Sequence, residues 1–471
     1  MDYSFFLKHL PTGFAPNADR SGTSTIMRRM VTNKRFCWLA ICICSAFLIL
    51  GCNKQKPVEA VANPKIATPS TIGDQIGVAN SGNASLAPVD ASLDIEALMA
   101  ARLPEEELDL GWIRLFDDQT MFGWERTGSA NWRVEDGTLA ADEGETGLLV
   151  TTSRFSDYEL KMEFQSDANT NSGVFLRTPS QPTAPDKDCF ELNIAPADNH
   201  FPTGSLVGRA RVEPSELGEF DTTQWHEFHV LLDRRHIQIW VDGKPVVDYT
   251  DTTDLQAGRI GLQFREGRVA FRNIRLRPLL YEKILPAKDL SGWNKSESPA
   301  KFDIDSNGVL QIEGGKGQIE WRQAYGDFVL QANVMTLSPK VNSGIFFRCI
   351  PGDEMNGYEC QIQNSWVDDR RRPEDSGTGA IFRRQPARAV LTDDSAWTHM
   401  TIVANGNHFA TWVKGIQVVD WSDTREPHEN PRLGRRNEAG SIILQAHDPT
   451  CKLQVASMGV AEIPADVGKP K

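Results

Sequence analysis

Two stretches of this chain are near-copies of one another. Asn171-Ser-Gly-Val-Phe-Leu-Arg177 returns as Asn342-Ser-Gly-Ile-Phe-Phe-Arg348, and Trp225-His-Glu-Phe-His-Val returns as Trp397-Thr-His-Met-Thr-Ile. Val246-Val-Asp-Tyr-Thr-Asp251 becomes Val418-Val-Asp-Trp-Ser-Asp423, and Gly258-Arg-Ile-Gly-Leu-Gln263 becomes Gly440-Ser-Ile-Ile-Leu-Gln445. Asn342 follows Asn171 by 171 residues and Gly440 follows Gly258 by 182. Solenoid repeats run ~20–50 residues, so this is a duplicated domain. Each copy is long enough to bury its own core. The copies are placed at 110–280 and 283–463, with a short polar tail at 464–471.

The apolar period inside each copy is two, not 3.6. Tyr158-Glu-Leu-Lys-Met-Glu-Phe164 alternates, as does His236-Ile-Gln-Ile-Trp-Val241 before Asp242-Gly243, a hairpin signal. Phe409-Ala-Thr-Trp-Val413 and Lys414-Gly415 repeat the plan. Many short strands and no long amphipathic helix predict an all-β protein: two tandem jelly-roll β-sandwiches.

Strand alternation sorts the residues of one hairpin by face. In the second copy Ser343, Ile345, Phe347, Tyr358, Cys360 and Ile362 share the core face, and Asn342, Phe346, Arg348, Glu359, Gln361 and Gln363 the other. In the first copy Asn171, Phe175, Arg177, Glu191 and Asn193 make the matching polar set. A carboxylate, a guanidinium, amides and a ring suit a sugar, whose hydroxyls need planar polar partners and whose C–H faces stack on rings. Arg and Glu on an exposed sheet face also arise as ordinary cross-strand pairs worth ~0.2–1 kcal/mol.

The formal net charge of −13 argues against a nucleic-acid partner. No cofactor is expected. His200, His226, His229 and His236 lack the spacing of a zinc site. Ca²⁺ at the loop residues Asp186, Asp188, Asp368 and Asp369 stays open, against the ordinary solvated-turn reading. A hairpin symmetric about Glu354-Met355 would set Cys349 opposite Cys360, so a cross-strand disulfide also stays open. The sequence is silent on oligomeric state.

The N-terminal part reads differently. Arg28, Arg29, Lys34 and Arg35 precede an uncharged run from Cys37 to Leu50, then Gly51-Cys52. Such a run is short for a bilayer span of ~20 residues but suits a signal-peptide core. The expectation is a lipoprotein signal at 27–52, lipidation of Cys52 and export to the outer side of a bacterial membrane; an uncleaved anchor is the alternative. Residues 1–26 read as an extension ahead of the true start at Met27 or Met30. Residues 53–108 read as a flexible linker, with a short helix over 94–108 broken near Pro104.

A wider set of motifs carries a family resemblance: Leu115-Phe-Asp-Asp, Gly123-Trp124, Trp132-Arg-Val-Glu-Asp-Gly-Thr-Leu139, Asn171 to Arg177, Trp225-His226, Val241-Asp-Gly243 and Phe271-Arg-Asn-Ile274. Together they resemble the 3-keto-disaccharide hydrolase domain family. The resemblance implies a concanavalin A-like jelly roll acting on oxidised sugars. Both copies depart from the family's late His-Gly pair: the first has Phe264-Arg-Glu-Gly267, and the second has His447 followed by Asp448-Pro449.

The resemblance also implies a chemistry. A C3 ketone acidifies the C2 hydrogen, and the enolate formed by a base expels the C1 substituent. In the second copy Glu359 would be the base, Arg348 would stabilise the oxyanion and His447 would be the acid. Glu191 and Arg177 would serve in the first, with an Asp or Glu from a loop as the acid. Substrate contacts would come from Asn171, Phe175 and Asn193 in the first copy and from Asn342, Phe346, Gln361 and Gln363 in the second. Direct hydrolysis by two carboxylates, a non-catalytic carbohydrate-binding lipoprotein and a ligand-free structural tandem are the competing readings.

Overall fold

The computed structural model describes residues 92–253, 255–279 and 282–464. The lipoprotein signal, Cys52 and most of the linker lie outside the described residues. Among those residues no helix is long and apolar enough to cross a membrane.

Each copy is a sandwich of one eight-stranded and one five-stranded sheet, all antiparallel. The first five-stranded sheet runs Trp124–Thr127, Gly147–Thr151, Arg259–Glu266, Asn171–Thr178, Phe190–Ile194. The second runs Trp293–Lys295, Gly317–Trp321, Ser441–Ala446, Ser343–Cys349, Tyr358–Ile362, in the same order. The eight-stranded sheets match strand for strand as well. Val241 pairs with Lys244 around Asp242-Gly243, and Val413 with Ile416 around Lys414-Gly415. All four turn residues have positive φ, which gives a two-residue turn the twist its strands need.

The two eight-stranded sheets differ in their outer faces. The first keeps its alternation: along His226–Asp233, Phe228, Val230 and Leu232 are buried and their neighbours are partly exposed. In the second, nearly all of Thr398–Asn405 and His408–Val413 is buried. The cause is the first copy, which packs on that face: Val329, Val403, Ala410 and Trp412 join the first copy's apolar core. Polar contacts fix the register of this packing. Trp412 Nε1 donates to the Arg114 carbonyl at 2.8 Å, the Arg154 amide donates to Asn405 Oδ1 at 2.8 Å, and Arg388 pairs with Asp117 at 2.8 Å.

Two expectations need correction here. Residues 93–108 are not linker. Asp94 caps the helix Ile95–Ala100, Pro104 starts the helix Glu105–Asp109, and Leu93 and Leu98 are buried against Ala380, Leu391, Val413 and Val418. The apolar residues of this segment bury area that a tether would leave in water, and that offsets its ordering entropy. The hairpin also pairs Ile345, not Cys349, with Cys360. Cys360 lies in the sandwich core and Cys349 in the cluster on the opposite face, so the two thiols are free and cannot be bridged.

Candidate active site

The repeated Asn-Ser-Gly-x-Phe-x-Arg motif builds the same local structure twice. The Ser343 hydroxyl donates to the Gln445 carbonyl on the neighbouring strand, and Ser172 does the same to Gln263, both at 2.6 Å. The following glycine leaves room for a carboxylate. A Cβ on Gly344 would lie 2.8 Å from Glu359 Oε1, and one on Gly173 would lie 2.9 Å from the Leu192 carbonyl and 3.5 Å from Glu191 Cγ.

The motif's arginine is not at the site, which corrects the expected oxyanion role of Arg348 and Arg177. Both have positive φ, at a bulge where strand alternation fails. Their side chains turn into the end of the sandwich. Arg348 Nε donates to the Gly326 carbonyl at 2.9 Å, Nη1 to Gly406 and Arg436 carbonyls, and Nη2 to Asp327 at 2.8 Å. Arg177 repeats this with the carbonyls of Ser156, Arg234 and Leu255 and with Asp157 at 2.8 Å. The bulge is made possible by the late-strand glycine, since a Cβ on Gly440 or Gly258 would strike the arginine backbone at 2.4 or 2.2 Å. These arginines latch strands together.

The expected open polar face is covered. In the second copy the loop 350–356 folds back over the five-stranded sheet, and Met355 packs on Phe346, Cys349 and Ile443. Gln318 Oε1 accepts from the Met355 amide at 2.7 Å, and Gln445 Nε2 lies 3.0 Å from the Met355 sulfur. Glu320 receives the Gly352 amide at 3.1 Å. Gln361, wholly buried, donates to Asn342 at 3.2 Å, and Gln363 caps the Ser365 amide at 2.6 Å. In the first copy Phe175 packs with Leu148, Val150 and Cys189, and Asn193 donates to the Phe201 carbonyl. Asn171 sits at the strand's start, half-buried.

What remains accessible is a pocket of about 90 Å³ at the edge of the second sheet. It is lined by Glu359, Phe346, Phe382, Arg383, Arg384 and Arg432 among others. Burial raises the Glu359 carboxyl from the ordinary carboxylate range to about 7, against the pull of Arg432 and Arg383. A base poised near neutrality is what proton abstraction asks for. Two segments supply the cations. The turn that bridges Ile381 to Gln385 presents Arg383 and Arg384, and the Phe382 amide donates to the Glu359 carbonyl at 2.9 Å. A loop between Asp423 and Gly440, ten residues longer than its counterpart between Asp251 and Gly258, presents Arg432. His447 lines no part of this pocket; its Nδ1 lies 3.1 Å from Asp448, and its side chain is half exposed.

The model of the 3-keto-alpha-glucoside-1,2-lyase-like domain family matches residues 111–277 and again 281–455. The chain belongs to this family. A 3-keto-disaccharide hydrolase from Bacteroides thetaiotaomicron is 27% identical over 167 residues, which is 33% of this chain and 51% of that protein. The match therefore spans about half of the relative. Among solved structures, a Parabacteroides distasonis protein provisionally named a glycosyl hydrolase is 18% identical, with 38% of this chain and 99% of that one covered at a TM-score of 0.33. A carbohydrate-binding module of family 66 from Bacillus subtilis is 14% identical, with 33% and 95% covered at a TM-score of 0.27.

Both lyase-like domains carry the half-buried glutamate, but only the second adds Arg383 and Arg432 beside it. Glu191 is also raised by burial, with Arg265 and Gln263 opposing the shift. Gly208 stands where the second domain has Arg383, and Leu148 and Val150 stand where it has Gln318 and Glu320. Among the described residues no three His, Cys, Asp or Glu side chains gather as a metal site would require. Asp369 pairs with Arg371 at 2.9 Å, Asp368 with Arg372 at 3.1 Å, and Asp188 accepts the Thr183 and Ala184 amides at 2.8 Å. These are turn contacts. Pattern reading missed Arg383, Arg384, Arg432 and the Met355 cover. The Arg383-Arg384 pair and the arginines of the long 423–440 loop were visible, but nothing in sequence brings them to Glu359.

Proposed function

We propose that the second domain cleaves 3-keto-glycosides by elimination, with Glu359 as the base. The observation that carries this reading is the Glu359 carboxyl, raised to about 7 in a pocket ringed by arginines. Glu359 takes the proton from C2, and the C2–H electron pair forms the C2–C3 enolate, whose charge the guanidiniums of Arg383 and Arg432 offset. The enolate collapses to a C1=C2 double bond, the C1–O bond breaks, and the departing oxygen takes a proton from the now neutral Glu359. Water addition to the unsaturated ketone completes a net hydrolysis. His447 is not required, because one carboxyl serves as base and then acid. The first domain, which lacks the arginine wall, buttresses the second.

The test is release of a chromogenic alcohol from a 3-keto-glucoside beside its unoxidised glucoside, using residues 92–471. Release from the keto compound alone, abolished by Glu359→Gln and kept by Glu191→Gln, is expected. A loss of order 10²-fold or more fits removal of a general base. Full turnover by Glu359→Gln sinks the reading. A protein that binds sugars and turns over neither compound is the lectin-like alternative. The basic and apolar stretches before Cys52 support export and lipid anchoring, for which the test is incorporation of labelled palmitate, lost on Cys52→Ser.

A further inference from the structure

We infer that the arginine-walled pocket of the second domain is a subsite for an acidic substituent, a carboxylate or a sulfate ester, on the glycan. The inference deepens the elimination reading and rests on it only for the location of the site. The first observation is unspent donors. Among the described residues the Arg383 guanidinium has no hydrogen-bond acceptor and lies only against its neighbour's ring, 5.2 Å from the Phe382 centroid. Arg432 donates through Nε and Nη2 to one carbonyl, that of Met355, and Arg384 donates to the carbonyls of Arg383 and Arg432. None of the three is ion-paired among the described residues. A guanidinium offers five donors in a fork that matches planar or tetrahedral oxyanions.

The second observation is charge balance. Three guanidiniums line the pocket and one carboxyl, Glu359, shares it. Two acids of the same loop are engaged elsewhere: Asp423 accepts from Tyr358 and Arg425, both at 2.7 Å, and Glu438 lies 3.8 Å from Arg436. The one negative charge passes from ionised Glu359 to the enolate, so the reaction cancels one positive charge at a time and leaves two for the substrate to match. This excess of cations stands in a chain of net charge −13, so it is local rather than a general basic surface. The third observation is the first domain, where Gly208 replaces Arg383 and the loop bearing Arg432 is shorter by ten residues. The pocket's 90 Å³ admits a carboxylate or sulfate group, with the sugar ring at its mouth.

The probes are methyl glucuronide, methyl glucoside 6-sulfate and neutral methyl glucoside, titrated calorimetrically into residues 92–471. At least one acidic probe should bind roughly tenfold more tightly than the neutral one, with the advantage shrinking at high salt. Arg383→Gly, which installs the first domain's residue, and Arg432→Ala should each erase that preference while circular dichroism and melting stay unchanged. The carboxylate and sulfate arms identify which oxyanion the site takes. Equal binding of all three probes, no binding of any, or a preference that survives both variants overturns the inference. Glu359→Gln separates it from the catalytic reading, since that variant should lose turnover and keep the acidic preference. Rapid turnover of a neutral keto-glucoside with no acidic preference sinks this inference alone.

Discussion

The two grooves have one scaffold and two chemistries. Strand order, the serine bond, the glycine under the glutamate and the arginine latch are common to both. The floor and wall are not. The first groove rests on Leu148, Val150, Phe175 and Cys189, and the second puts Gln318 and Glu320 in place of the two aliphatics. Only the second gains Arg383 in the 381–385 turn and Arg432 in the long 423–440 loop, whereas Arg384 has a counterpart in Arg209. The lesson is that the most recognisable repeated motif marks the frame, and the residues that differ between copies mark the chemistry.

The largest effect expected from breaking this comparison is at the latch. Arg348→Ala and Arg177→Ala should each cost roughly 3–5 kcal/mol, because Asp327 or Asp157 is left as an uncompensated, largely buried charge. Chemical denaturation should show similar losses for the two. An Arg348→Ala protein of normal stability and no turnover would return that arginine to a catalytic role.

Next is the cost of Glu359 itself. The unfolded carboxyl loses its proton in the ordinary carboxylate range, whereas the folded one holds it to about pH 7. Between those pH values the native state binds more protons, so stability falls as pH rises through the window. Above it the penalty is on the order of 3 kcal/mol. Glu359→Gln should therefore melt higher than the parent at alkaline pH and match it at acid pH. Glu191 is shifted in the same direction, so Glu191→Gln should show the same sign. A Glu359→Gln protein less stable at alkaline pH would contradict a buried, desolvated carboxyl.

How much of this was legible in sequence follows from what sequence encodes locally. Period-two alternation and the Asp242-Gly243 and Lys414-Gly415 turns sufficed for tandem sandwiches, because they depend on neighbours in the chain. The core half of the hairpin, from Ser343 to Ile362, was legible for the same reason. Alternation misplaced Arg348 because a bulge with positive φ interrupts the strand, and its cause, close approach of Gly440, lies 92 residues away. It also gave an open face where Met355 covers one, since a loop's return over a sheet leaves no periodic trace. The segment from Leu93 to Leu108 was mistaken for tether because its apolar positions are sparse and find their partners far along the chain, Leu93 and Leu98 in the second domain, or at Trp112 just beyond it.

Smaller effects sharpen the comparison at the carboxylate. Gly344→Ala should push Glu359 aside, since the new methyl would sit 2.8 Å from Oε1 and 2.9 Å from Cγ. Overpacking of this kind costs about 1–3 kcal/mol, and a displaced base should lower turnover roughly tenfold or more. Gly173→Ala should cost similar stability and leave turnover unchanged, because its glutamate is not the base. Equal turnover losses at the two glycines would mean both grooves work.

The finest test is the pH profile. Elimination needs ionised Glu359, so turnover should rise with pH through about 7 and then level. Arg432 favours the ionised form of this carboxyl, so Arg432→Ala should move the midpoint upward, by up to about one unit for a pair partly screened by solvent. Arg383→Gly should act in the same direction, since Arg383 opposes the same shift. Arg265→Ala, which alters the charge beside Glu191, should leave the profile where it was. A midpoint that follows Arg265 instead of Arg432 would move the chemistry to the first domain, and with it the meaning of every residue that the second domain has gained.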